Sequence, residues 1–331
     1  MKRAFGCLTI FLLLALAVSI FFNLLLLGGS ASGLGKSRGD FEEIHLYGNP
    51  LSSDKIAVID IAGIISASTP GEVYTTQLDD YTFMLRQALN DPAVKAIVLR
   101  IDSPGGEVTA SDILFHAVLE ADRQKPVLAF LQSIGTSGAY YTAIGARHIS
   151  ANSQTITGSI GVILQTFNMQ GLAEKIGIGL VTFKSGELKD LLNPLRPVTE
   201  AERSLFQALI DESYDRFVGL VAERRKLPVD ALKKGVADGR VLSGTQAKEA
   251  GLIDSTGYFA DTLQEAIRLG QADEDAAVVE LQAPLRFKRL FRIFGQSSEN
   301  RPLSLRIGPP LPELLPGRLY YLAGHLFSPA P

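Results

Sequence analysis

Apolar positions recur along this chain in distinct rhythms. From Leu8 to Leu27 nearly every residue is apolar, and no charge occurs between Ala4 and Gly35. As a helix that run reaches about 30 Å, the hydrocarbon thickness of a bilayer, and it exceeds the roughly 7–15-residue core of a cleavable signal peptide. The pattern predicts a retained transmembrane signal-anchor over 1–29, with a cleavage site at the small residues Gly28 to Gly33 as the alternative. Lys2 and Arg3 favour a cytoplasmic N-terminus with the bulk of the protein outside the cytoplasm, while Lys36 and Arg38 weaken that bias. Residues 30–53, rich in Gly and Ser and then mixed polar, read as a linker.

From 54 to 270 the rhythm changes to short apolar runs alternating with helical spacing. Lys55 to Ile65, Val94 to Ile101, Lys125 to Leu131 and Ile178 to Phe183 read as strands. Leu78 to Leu89, Thr109 to Ala121, Gly138 to Ala146, Thr199 to Arg225 and Phe259 to Leu269 read as helices. Ala237 to Val241 and Gly251 to Asp254 read as short strands flanking a helix over Ser243 to Ala250. Strands and helices in this alternation predict an α/β domain over 54–270 with a mainly parallel sheet. Residues 271–331 form a C-terminal extension. Pro284 to Phe294 mixes cations with large apolar residues, as surface-lying membrane segments and partner contacts both do. Pro302 to Pro331 is rich in Pro and Leu and reads as extended or poorly ordered.

Composition narrows the chemistry. A net charge of −3 over 331 residues offers no basic stripe for nucleic acid. The one cysteine, Cys7, lies in the apolar N-terminal run, so no intrachain disulfide or thiolate cluster forms. His45, His116, His148 and His325 are isolated and show no paired ligand spacing. No metal and no cofactor is expected.

Ser137 is the residue the pattern singles out. It stands between a strand and a helix of small residues, where its hydroxyl can be exposed beside free helix-terminal amides able to hold an oxyanion. The other reading is a simple helix N-cap. A serine nucleophile needs a base, and no histidine sits in a motif-like setting, which leaves lysine. A lysine with the reference pKa near 10.4 is only about a thousandth neutral near pH 7.4, so it must be desolvated. Lys184 and Lys189 both follow a predicted strand beside Gly186, and spacing does not separate them. A second hydroxyl, such as Ser159, would help to hold the amine.

Five motifs in order carry a resemblance: Asp102-Ser-Pro-Gly-Gly106, Thr136-Ser-Gly-Ala-Tyr-Tyr141, Thr157-Gly-Ser-Ile-Gly-Val162, Lys184-Ser-Gly-Glu-Leu-Lys-Asp190 and Ala237-Asp-Gly-Arg-Val241. Together they resemble the signal peptide peptidase A family of membrane-anchored serine peptidases, in its half-length form, over about Lys55 to Leu269. The resemblance implies a ClpP/crotonase-like fold of repeated ββα units and a Ser-Lys dyad. It also implies degradation of signal peptides left in the membrane after secretion. It assigns Ser137 as nucleophile, Lys189 as general base, Ser159 as supporting serine, and the amides of Gly105, Gly106 and Gly138 as oxyanion donors. It further implies a homo-oligomeric ring, in which the serine and lysine of a site can come from one subunit or from two neighbours, and a cytoplasmic (inner) membrane location with the domain on the extracytoplasmic side. Two positions depart from the pattern: Ala139 stands where the family has a second glycine, and Leu188 where it commonly has tyrosine. The competing functions are a ClpP-class protease that trims a membrane partner protein and an inactive crotonase-like peptide-binding scaffold.

Overall fold

The computed structural model describes residues 16, 19–20, 41–67, 77–282 and 320–322. The Leu8 to Leu27 stretch lies almost entirely outside them, as does Pro284 to Phe294. Among the described residues no helix is long and apolar enough to cross a membrane. Met1–Asp40 makes one unit and Phe41–Pro331 a second, to which everything below belongs.

The strands are β1 (Glu42–Tyr47), β2 (Lys55–Ala62), β3 (Val94–Ser103), β4 (Gly105–Glu107), β5 (Val127–Thr136), β6 (His148–Ala151), β7 (Ile156–Gly158), β8 (Val241–Ser243), β9 (Ser255–Thr256), β10 (Ala277–Gln282) and β11 (Tyr320–Leu322). The helices are α1 (Gln77–Asn90), α2 (Val108–Gln124), α3 (Gly138–Ala143), α4 (Gln170–Lys175), α5 (Glu200–Arg225), α6 (Val229–Lys234), α7 (Gly244–Glu249) and α8 (Phe259–Gly270). The main sheet runs β1-β10-β2-β3-β5-β6-β9. Neighbours from β10 to β9 are parallel, and β1 closes one edge antiparallel to β10.

Strand alternation sorts the apolar residues onto two covered faces. Ala57, Ile59 and Ile61 of β2 join the core built with α1, α2, α3 and α5, while Ile56 and Val58 face Leu263 and Ala266 of α8. Burial on both faces explains why β2, β3 and β5 read as unbroken apolar runs. Arg100 of β3 interrupts its run, and its charge is met by Asp60 at 2.6 Å and Glu280 at 2.9 Å under the Phe259 ring.

The structure differs from the sequence reading at several places. Glu42–Tyr47, placed in the linker by composition, is an edge strand of the sheet. Ala277–Gln282, placed in the C-terminal extension, is β10, inserted between β1 and β2. Ile178 to Phe183 forms no strand: Val181 is 78% and Phe183 95% exposed, and no neighbouring strand among the described residues supplies the ladder that β structure requires. The short strands expected at Ala237 to Val241 and Gly251 to Asp254 form further along, as β8 and β9.

Candidate active site

β5 organises the site because its two halves pair with different partners. Leu128 to Leu131 pair with β6, and Ile134 to Thr136 with β7. The second half delivers Ser137 to the end of the sheet. Ser137 donates its amide to the Gly158 carbonyl at 2.8 Å, and its own carbonyl accepts from the Tyr141 amide at 2.8 Å. Its backbone sits at φ 54°, ψ −116°, outside the regions comfortable for an L residue, a conformation that costs of order 1–3 kcal/mol.

Buried side chains on both sides impose that conformation. Thr136 Oγ1 donates to the Pro104 carbonyl at 3.1 Å, and Thr157 Oγ1 to the Gly135 carbonyl at 2.7 Å. On α3, Tyr140 is fully buried and its hydroxyl donates to the Leu252 carbonyl at 2.7 Å; burial pushes its phenol well above the usual range. Tyr141 donates to Asp112 Oδ1 at 2.6 Å and packs its ring 4.8 Å from that of Phe217.

The Ser137 side chain makes no capping bond, which removes the N-cap reading. Its Oγ is buried and has no hydrogen-bond partner among the described residues. A buried hydroxyl without a partner costs about 1–3 kcal/mol. Strain and an orphaned hydroxyl at one residue mark a position whose conformation stability alone does not explain.

Beside Ser137 lies the Gly105-Gly106 turn. Gly105 has φ 102°, and its amide is engaged by Ser103 Oγ at 3.1 Å. A Cβ on Gly106 would stand 1.9 Å from the Ile65 carbonyl oxygen, so only glycine lets the two backbones approach this closely. The Gly105 carbonyl and the Glu107 amide both bond to Ile65, at 2.9 and 2.8 Å. Alternation along β4 therefore turns the peptide groups of Gly106 to the opposite edge. That edge pairs antiparallel with β11, Gly106 opposite Tyr321. Gly138, the third expected oxyanion donor, opens α3, where a first-turn amide has no intrahelical acceptor.

Ser159 follows Gly158 on the same loop at φ 52°, with its amide bonded to the Arg240 carbonyl at 2.7 Å. It lines a cleft of about 350 Å³ between the Ser159–Ile163 segment, α5 and the Ala237–Gly239 turn. The first, second, third and fifth of the sequence motifs thus converge around Ser137 and the cleft.

The fourth does not. Lys184 binds Asp190 Oδ1 at 2.8 Å and the Glu187 carbonyl at 2.9 Å, whereas Lys189 is exposed and its amine makes no hydrogen bond or ion pair among the described residues. A serine hydroxyl with no partner and an exposed ammonium are not in contact, so one chain alone does not bring Ser137 and Lys189 together. His116, on α2, is exposed near Asp112, and His148 opens β6 bonded to Ser255, so neither serves the serine.

Composition gave no warning of the clamp that shapes the lysine segment. Arg196 bonds Asp190 Oδ2 at 3.0 Å and Glu202 Oε1 at 2.6 Å, and Glu202 also closes the capping box of α5 with Thr199. Arg196 and Lys184 hold the Asp190 carboxyl well below the usual range, and Arg196 with the Thr199 amide pushes Glu202 down to about 2. The acidic N-terminus of α5 was visible in the sequence as a cap; the arginine that joins it to Asp190 was not.

Comparison with known proteins places this geometry. The sequence model of Peptidase family S49 matches residues 120–273. A protein named as a protease in Synechocystis sp. is 37% identical over 255 residues, covering 77% of this chain and 88% of its own. A protein named as signal peptide peptidase SppA in Enterococcus faecium is 34% identical over 233 residues, covering 69% of this chain and 67% of its own. The chloroplastic serine protease SPPA of Arabidopsis thaliana is 35% identical over 240 residues, and the match spans 70% of this chain but 35% of that longer protein. The chain belongs to peptidase family S49, the signal peptide peptidase A family.

Proposed function

We propose that this protein is a membrane-anchored serine endopeptidase with a ClpP/crotonase-like fold, a Ser137–Lys189 dyad and apolar peptides, remnant signal peptides among them, as substrates. The observation that carries the reading is the Ser137 hydroxyl: buried, strained in its backbone and without a partner. In this mechanism Ser137 Oγ attacks the scissile carbonyl while its proton passes to a neutral Lys189 amine. The donors to the tetrahedral oxygen are the amide of Gly138 and, once its edge is released from β11, that of Gly106. The lysine proton then goes to the leaving amine, and an acyl-enzyme remains. Water attacks the ester, gives its proton to Lys189, and releases the acid as Ser137 recovers its hydrogen.

A neutral lysine requires removal from water, which the exposed Lys189 of one chain lacks. The segment that carries it also exposes Phe167, Val181 and Phe183 at 80%, 78% and 95%. Apolar side chains gathered on one segment are what a partner subunit covers. The site is therefore completed between copies in a homo-oligomer: the lysine arm of one chain docks near Ser137 and Ser159 of its neighbour. The apolar Leu8 to Leu27 stretch supplies the anchor to the cytoplasmic membrane, with the peptidase domain on the extracytoplasmic side.

The test is labelling with a fluorophosphonate serine probe, together with turnover of a signal-peptide substrate, in the parent and in Ser137→Ala. Labelling and turnover in the parent, both lost in the variant, are expected. Absence of labelling in the parent, or labelling that survives the substitution, means an inactive peptide-binding scaffold.

A further inference from the structure

One carboxylate joins three helices around the Ser137 elbow. Asp112 lies in the second turn of α2, the helix that follows the Gly105-Gly106 turn and Glu107. Its Oδ1 accepts from the Tyr141 hydroxyl of α3 at 2.6 Å and from Arg216 of α5, Nη2 at 2.8 Å and Nε at 3.1 Å. Tyr141 is wholly buried, its ring edge-on to Phe115 of α2 and tilted against Phe217 of α5, with centroids 5.5 and 4.8 Å away. The amide of the same tyrosine donates to the Ser137 carbonyl at 2.8 Å. Further along α5, Arg224 donates to the carbonyls of Ile144, Gly145 and Ala146 at 2.9, 3.3 and 3.2 Å, so the long helix grips the far end of α3 as well.

The strengths of these contacts differ. A hydroxyl 2.6 Å from a carboxylate oxygen lies in the range of charge-assisted hydrogen bonds, about twice as strong as neutral ones. The Arg216–Asp112 pair is half exposed and by itself contributes little. Its effect is geometric: it fixes the carboxylate against α5, so that α2, α3 and α5 meet at one oxygen. Glu202, which Arg196 ties to Asp190 and the lysine segment, lies about 21 Å away along the same helix. Ser137 needs such support, because a residue at φ 54°, ψ −116° keeps that conformation only where its surroundings over-determine it.

We infer that Asp112 is a positioning residue for Ser137: through the Tyr141 hydroxyl it fixes the first turns of α3, and through Arg216 it joins them to the helix that begins at the lysine segment. The effect runs through the backbone. With its ring tethered, Tyr141 holds the Ser137 carbonyl by its amide, and the Gly138 amide keeps its place beside the serine. The tether stands on hydrogen bonds and packing alone; its consequence for turnover rests on the reading of Ser137 as the nucleophile.

The experiment uses the full chain with Asp112→Ala, Asp112→Asn and Tyr141→Phe, and Leu263→Ala as a control. Leu263 of α8 packs on the opposite face of the sheet, so its truncation lowers stability without touching the tether. Asp112→Ala and Tyr141→Phe are each expected to slow fluorophosphonate labelling of Ser137, and to lower kcat at unchanged KM, by about ten- to a hundredfold in folded protein. The double variant loses no more than either alone, because the two side chains act as one unit. Asp112→Asn keeps an oxygen for the Tyr141 hydroxyl and stays within about threefold of the parent, while Leu263→Ala labels as the parent does. Hydrogen exchange at the Tyr141 amide supplies a readout without catalysis: about tenfold faster in Asp112→Ala than in Leu263→Ala. Losses that multiply in the double variant, an Asp112→Asn loss as large as that of Asp112→Ala, an equal loss in Leu263→Ala, or an amide that exchanges alike in Asp112→Ala and Leu263→Ala overturns the tether. A parent that fails to label overturns the peptidase reading instead, and the exchange comparison still decides the tether.

Discussion

Lys184 Nζ lies 2.8 Å from Asp190 Oδ1, and five residues further on Lys189 has no such partner among the described residues. The two lysines that sequence spacing could not separate therefore have different work. Lys184 fastens the segment, and the proposal makes Lys189 the general base. Lys189→Ala is expected to lower kcat by about 10²–10⁴, the range for losing a general base, with the fold intact. Lys184→Ala is expected to cost less than about tenfold, through a looser segment, because it leaves Asp190 still bonded to Arg196. Steady-state kinetics on both variants checks the assignment; the reverse order would exchange their roles.

Ser137 holds an unfavourable backbone and an unmet hydroxyl, so removing the side chain should relieve the fold. Ser137→Ala eliminates the orphaned hydroxyl, and Ser137→Gly also relaxes φ 54° at the cost of a more flexible unfolded chain. Both are expected to be inactive yet more stable than the parent, by about 1 kcal/mol in denaturant unfolding. A destabilised Ser137→Ala would mean that the hydroxyl is a structural group.

Gly106 offers the opposite case. Its added methyl would meet the Ile65 carbonyl at 1.9 Å, backbone against backbone, and nothing there can swing aside. Gly106→Ala is expected to cost about 3 kcal/mol and to separate β4 from Ile65. Gly171→Ala in α4, with nothing within 4 Å of the new methyl, is expected to be neutral or to stabilise by up to about 1 kcal/mol. Thermal unfolding of the pair measures the contrast.

The Asp190–Arg196–Glu202 clamp gives the lysine segment a pH dependence. Both carboxyls are depressed in the folded protein, from 4.5 to about 2 for Glu202 and downward from 3.8 for Asp190. Their contribution is therefore fully present above about pH 4.5 and lost as the pH falls toward 2. Cleavage between 184 and 199 by pepsin, which stays active across this window, should accelerate as the pH falls below about 4. Arg196→Gln should show that fast cleavage throughout. A cleavage rate flat in pH for the parent would mean that the clamp does not hold the segment.

Much of this architecture was legible in advance, for a reason particular residues make clear. β3 and β5 are buried on both faces, so Val94–Ser103 and Val127–Thr136 announce themselves as apolar runs, and the Ser137 elbow follows from the glycines and small residues around it. β10 escaped because Ala277–Gln282 carries Glu280, whose charge is met by Arg100 from a strand 180 residues earlier. Ile178 to Phe183 misled in the other direction: its apolar residues are exposed, and local pattern does not distinguish an exposed apolar side chain from one in a core. β11 was hidden because three residues among prolines and leucines carry no period; its pairing is set by the open edge of β4. The lack of a motif-like histidine points to lysine as the base, and the choice of Lys189 over Lys184 rests on the family motifs alone.

The most direct test of the central claim, that Ser137 and Lys189 of different chains make one site, is complementation. Ser137→Ala and Lys189→Ala proteins, each inactive alone, are mixed under conditions that let subunits exchange, and peptide turnover is followed. In a symmetric assembly with shared sites about a quarter of the mixed sites join an intact serine to an intact lysine, so turnover should return to about that fraction of the parent rate. An active parent whose two variants exchange subunits and recover nothing would contradict the account.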